Sequence, residues 1–118
     1  MRDFYEAFPQ SSPRLALAPT FSDHVEDVAL DADVLARIAI PGGARFVLCS
    51  FDGYVRIKPG TVTTALALPA ATSIDGSGSE LNPSARRIPE RLADGATIPT
   101  HLCLRAPAAC KGSLAFYA

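Results

Sequence analysis

The sequence has no run approaching the roughly 18 consecutive apolar residues that a membrane-spanning helix requires. Its start, with Asp3 and Glu6, lacks the basic stretch followed by an apolar one that marks a secretory leader. No membrane partner is expected, and synthesis and retention in a cytoplasm are. Basic clusters are missing too. Eleven Lys and Arg stand against twelve Asp and Glu, a net charge of -1. With no basic run to neutralise a row of phosphates, nucleic acid is not an expected partner. Charge this close to zero favours self-association.

Cysteine is scarce. Cys49, Cys103 and Cys110 are odd in number, lack a C-x-x-C spacing and lie in apolar neighbourhoods. Three buried, reduced thiols are expected rather than a disulfide framework.

The motifs that carry chemistry are equally thin. His24 stands among Asp23, Glu26 and Asp27, a set that could hold a metal but reads first as a solvated turn before a strand. His101 and Cys103 share one strand face by spacing, yet no third partner completes a nucleophilic site. The stretch Asp75-Gly76-Ser77-Gly78-Ser79-Glu80 alternates oxygens as a calcium loop does, but has too few acidic positions and no glutamate at the twelfth. Its glycines are not followed by G-K-[ST], so no phosphate loop is expected. No serine lies in a G-x-S-x-G context. The expectation is a protein with no catalytic residue, no metal and no cofactor.

What is present is material for a β-rich core. The 118 residues are 48% hydrophobic and 19% charged, enough for one folded domain burying roughly two thirds of its unfolded surface. Residues 1–22 read as an extended N-terminal arm, because Pro9, Pro13 and Pro19 interrupt Phe4, Tyr5, Phe8, Leu15 and Leu17 and forbid one long helix. Phe4, Tyr5 and Phe8 make the arm too apolar for open water. Residues 23–118 form the domain. Val28 and Leu30 alternate with Ala29 and Asp31 as a strand does. A second strand over 34–40 runs into the turn Pro41-Gly42-Gly43, and a helix over 31–38 capped by Asp31 competes with it.

Around Asp52-Gly53 the sequence predicts a β-hairpin over residues 44–58 with a two-residue type I′ turn. That turn sets Phe51 opposite Tyr54, Cys49 opposite Arg56 and Leu48 opposite Ile57. One face, Phe46, Leu48, Ser50, Val55 and Ile57, is then the core. The other carries Val47, Cys49 and Phe51 beside Tyr54, Arg56 and Lys58, a mixed apolar and basic surface that something should cover. Residues 61–68 read as a further strand, about 72–97 as a long loop exposed near Gly76 and Gly78, and 80–89 as ordered loop. A second hairpin is expected from residues 98–106 and 113–118, with Leu102, Leu104, Leu114 and Phe116 inward. The whole reads as an all-β fold, a small antiparallel β-sandwich or jelly-roll-like barrel of about six to eight strands. Arg86, Arg87 and Arg91 beside Glu80, Glu90 and Asp94 suit either an ion-pair network within one loop or bidentate contacts with another chain.

The phrases Pro-Gly-Gly-Ala-Arg-Phe-Val-Leu at 41–48, Asp-Gly-Tyr-Val-Arg-Ile at 52–57, Thr-His-Leu-Cys-Leu-Arg-Ala at 100–106 and Lys-Gly-Ser-Leu-Ala-Phe-Tyr at 111–117 resemble small β-sandwich virion proteins of tailed bacteriophages. The likeness runs from Pro41 to the C-terminus, and the insert at 73–89 departs from it. The resemblance implies a non-enzymatic subunit in the virion, a capsid decoration or cement protein or else a neck or tail component. Its partners would be the major capsid protein or other virion subunits, and copies of itself. The residues expected to make such contacts are Phe4, Tyr5, Phe8, Phe51, Tyr54, Arg56, Arg86 and Arg87. A receptor- or carbohydrate-binding module is the alternative, with Phe51, Tyr54 and Tyr117 as its aromatic platform. A small β-barrel enzyme using His24 or His101 is a third class.

Overall fold

The computed structural model describes residues 1–3 and 20–118, and among these residues there are eight strands and no helix. They are β1 (His24–Leu30), β2 (Ala36–Ala39), β3 (Phe46–Phe51), β4 (Arg56–Gly60), β5 (Glu80–Leu81), β6 (Ala85–Arg87), β7 (His101–Arg105) and β8 (Cys110–Tyr117). Two antiparallel sheets of four result, ordered β1-β8-β3-β6 and β2-β7-β4-β5. The expected arm residues Phe4, Tyr5 and Phe8 lie outside the described residues.

The pairing follows one rule. β1 pairs with β8, β2 with β7, β3 with β6 and β4 with β5, as if the chain were one long ribbon doubled back at the β4–β5 connection. Rolling that ribbon adds the β8–β3 and β7–β4 pairs. This is the connectivity of the double-sheet jelly roll, here an open sandwich and not a closed barrel.

β8 and β7 occupy central positions in their sheets and supply the middle of the core. Leu114, Phe116 and Leu104 are fully buried, and Leu102, Val28, Leu30, Val47, Val55 and Ile57 close around them. At about 25 cal/mol per Å² of apolar surface, each such side chain stabilises the fold by roughly 1.5–3 kcal/mol.

Neither expected hairpin forms. β3 and β4 belong to different sheets, as do β7 and β8, so Phe51–Tyr54, Cys49–Arg56 and Leu48–Ile57 are not pairs. Asp52-Gly53 instead carries the chain across the sandwich. Positive φ occurs, among the described residues, at Asp33, Gly43, Gly76, Asn82 and Gly95, and at neither member of the expected type I′ turn. The Asp52 N–H donates to the Lys111 carbonyl at 3.0 Å and the Asp52 carboxylate accepts from the Lys111 N–H at 2.8 Å, extending the β3–β8 ladder. Gly53 is small for a different reason than turn geometry: a Cβ there would lie 2.9 Å from Cβ of Cys110.

Removing that turn shifts β3 by one face. Val47, Cys49 and Phe51 point toward the main core, while Phe46 and Leu48 form a second cluster with Tyr117 and Ala115 on the outer side of the first sheet. Ser50, expected in the core, is exposed. Val55, just before β4, and Ile57 within it are buried as expected. Of the two readings of residues 31–40, the strand is the one found. Two further segments differ. Residues 61–68 form no strand, and within 80–89 two short strands, β5 and β6, take edge positions in opposite sheets.

Candidate functional site

No three His, Cys, Asp or Glu side chains come together as a metal-binding group among the described residues. His24 Nε2 lies 3.1 Å from Glu26 Oε1 and the ring packs edge-on against Phe116. His101 Nδ1 lies 2.8 Å from the Thr100 hydroxyl. Asp75 uses its carboxylate locally, accepting from the Ser77 hydroxyl at 2.5 Å, the Ser77 N–H at 3.0 Å and the Ser73 hydroxyl at 2.8 Å. These bonds, the Ser77 hydroxyl first, hold its pKa down to about 2.

The two outer faces of the sandwich are therefore the surfaces to compare. The second sheet turns Arg37, Arg56, Lys58 and Arg105 outward, and strand register sets Arg56 directly opposite Arg105, an arrangement of like charges that costs stability unless each finds an acceptor. Each does. Arg37 donates twice to the Thr64 carbonyl, at 3.1 and 2.9 Å. Arg56 reaches the Ser79 carbonyl at 3.0 Å and Lys58 that of Ser77 at 3.5 Å. Arg105 bonds the Leu66 carbonyl at 3.0 Å and forms an ion pair with Asp33 at 2.8 Å. All four cations thus hold down the long β4–β5 connection, whose Leu66 is buried.

This basic face is covered by the chain itself. Cys103, which shares the outer strand face with His101 by spacing and is expected as a buried thiol, is buried with no exposed surface for this reason. Its thiol pKa is raised, mainly by desolvation, with Arg37 and Lys58 opposing. Cys49 is pushed up to about 11 by desolvation, which Arg86 opposes and Glu80 reinforces. All three cysteines are free thiols; Cys103 and Cys110 are buried as expected, whereas Cys49 is only half-buried.

The first sheet is built differently. Its edges are β1 and β6. β6 carries Arg86 and Arg87, which alternation sends to opposite faces. Arg86 Nε meets Glu80 of β5 at 3.0 Å, joining the edges of the two sheets. Beneath that ion pair lies a cavity of about 270 Å³ whose lining includes Val47, Cys49, Ile57 and Leu102. Arg87 stands over the Phe46 ring at 5.7 Å, a cation–π contact at the rim of the outer aromatic cluster.

Of the expected contact residues, Tyr54 is 67% exposed on the β3–β4 crossing, and Arg86 and Arg87 are exposed together on one edge strand. Phe51 is half-buried, packs on the core and lies under Gly112, where any Cβ would strike the Ser50 carbonyl and the Phe51 ring. Arg56 is committed to Ser79. Tyr117, expected on an aromatic platform, is 2% exposed and donates its hydroxyl to the Thr20 carbonyl at 2.6 Å. Sequence reasoning missed β1 as a candidate surface: Val25 and Asp27 are exposed along it, and the period-two pattern that identified the strand says nothing of its edge position. No protein-family model matches this chain, and searches of curated proteins and of solved structures return no match.

Proposed function

We propose that this chain is a non-enzymatic structural subunit of a tailed-phage virion, a capsid decoration or cement protein that binds other virion proteins and copies of itself. The observation that supports this reading most is the rolled pairing of β1 with β8 through β4 with β5, because the double-sheet jelly roll is a recurrent architecture of viral capsid domains. The fold alone does not carry a function. The surface adds to it: the cations of the second sheet are spent on the chain's own carbonyls and on Asp33, while among the described residues no strand pairs with the outer side of β1 or β6. A place in the neck or tail would use the same surface.

Jelly rolls also serve as lectin domains, and Tyr54 is the observation that favours that second reading. A sugar platform needs a flat set of accessible rings, and Phe51 and Tyr117 are packed away. The test is mass spectrometry of gradient-purified virions from the phage whose genome encodes the chain. Its peptides are expected at a fixed copy number per particle. Their absence from particles, together with binding on a glycan array, would establish the lectin reading instead.

A further inference from the structure

We infer that copies of this chain join edge to edge, with β6 of one copy pairing with β1 of the next, so that the first sheet runs on from subunit to subunit. The inference rests on the reading of the chain as an assembly subunit and names the partner as a second copy.

Three observations lead there. The first is direction. Strands alternate across β1-β8-β3-β6, so β1 and β6 run opposite ways, and β1 of a second copy set beside β6 in the same sheet orientation meets it antiparallel. The second is availability. Neither β1 nor β6 has a ladder partner on its outer side among the described residues, and an open edge of this kind is a template for another strand.

The third is charge, and it decides which edges can meet. Register places Arg87 in one row with Phe46 and Tyr117, and Asp27 in one row with Ser113 and Ser50, so both lie on the outer face. Arg86 shares a row with Val47 and Phe116, and Glu26 with Leu114 and Cys49, so both lie on the core-facing side. Pairing β6 with β1 therefore opposes Arg87 to Asp27 on the outer face, and on the core-facing side it brings Glu26, which already meets His24, toward Arg86, which already meets Glu80. Pairing β1 with β1 would oppose acid to acid, and β6 with β6 Arg to Arg. The charges that guard each edge against its own kind select the other edge. The resulting contact is head-to-tail, and closes into a ring or continues as a file of subunits according to the rotation per step. The second sheet offers a shorter edge: β5 is two residues long.

Sedimentation-equilibrium analysis of the purified chain tests this. The wild type is expected to self-associate. Asp27→Lys and Arg87→Glu should each weaken association about tenfold, by replacing an attractive cross-strand pair with a repulsive one. An equimolar mixture of the two should recover it, because the β1 edge that has gained a lysine then meets the β6 edge that has gained a glutamate, while the native Arg and Asp edges still match. Neutral variants, Asp27→Asn and Arg87→Gln, should lose less, and circular dichroism checks that every variant is folded. A wild type that stays monomeric at all attainable concentrations, variants that associate as it does, or a mixture no stronger than either variant alone would each overturn the inference. A chain that associates through these edges but is absent from virions keeps this inference and loses the proposed function; a virion component that is monomeric in solution does the opposite.

Discussion

The two sheets share one core and differ in how they meet the world. The second sheet places four cations on its outer face and satisfies each with backbone carbonyls of the β4–β5 connection, Arg105 also pairing with Asp33. In the first sheet neither edge strand has an outer ladder partner among the described residues, one bearing Glu26 and Asp27 and the other Arg86 and Arg87. Cationic residues thus do different work in one small domain. On the second sheet they fasten a covering segment; on the first, Arg86 ties the edge strand β6 to Glu80 and Arg87 lies over the Phe46 ring.

The contrast can be broken at several points. Leu104 belongs to the shared core and is fully buried, so Leu104→Ala should cost about 4 kcal/mol in chemical denaturation and spare neither sheet. Gly112→Ala drives a Cβ into the Ser50 carbonyl; parting the β3–β8 ladder should cost about 3 kcal/mol and lower the thermal midpoint. Arg105→Ala removes the bonds to Leu66 and Asp33 and should cost about 2 kcal/mol. If the covering segment depends on it, Cys103 will begin to react with a thiol reagent in the folded state, while Cys49 will not. Asp27→Lys, on the open edge, should change stability by less than about 0.5 kcal/mol, whatever it does to association.

The smallest expected effect is in acid. Asp75 and Asp94 have folded pKa values near 2, Asp94 held there chiefly by the Thr97 hydroxyl and by the Thr97 and Ala96 N–H groups. A depressed carboxylate pKa adds stability that is complete above the ordinary value of 3.8 and is lost as pH falls through about 2. Carboxyl resonances of both residues should titrate in that window, and local order in their loops should decline with them.

Much of the fold was legible in the sequence because strand identity is local. β1, β2, β3, β4, β7 and β8 all follow from period-two patterns and from Gly and Pro punctuation. Pairing is not local. Asp52-Gly53 carries a strong hairpin signal, yet Asp52 is claimed by Lys111, 59 positions away, and Gly53 by the adjacent Cys110, partners that no turn rule weighs. One wrong turn then inverted β3, since a strand slipped by one residue exchanges its faces. β5 and β6 are too short to show a period, and between them Asn82 and Pro83 read as loop.

The surface was half legible. The paired arginines stood out, but the expected face joining Val47, Cys49 and Phe51 to Tyr54, Arg56 and Lys58 does not form, because β3 and β4 lie in different sheets; only Arg56 and Lys58 are covered, by the chain's own β4–β5 connection. That the cover is the segment read as a strand and a loop depends on carbonyls, which every residue has and no sequence distinguishes. Position at a sheet edge is invisible for the same reason, because it belongs to the order of strands and not to any one of them.

Hydrogen exchange, measured strand by strand on the dissociated chain and on the assembled form, tests the division between the sheets most directly. Amides of β1 and β6 are predicted to exchange quickly in the free chain and to gain protection on assembly, while those of β2 and β7 are protected alike in both. Protection gained on the second sheet, or on neither edge of the first, would contradict the account.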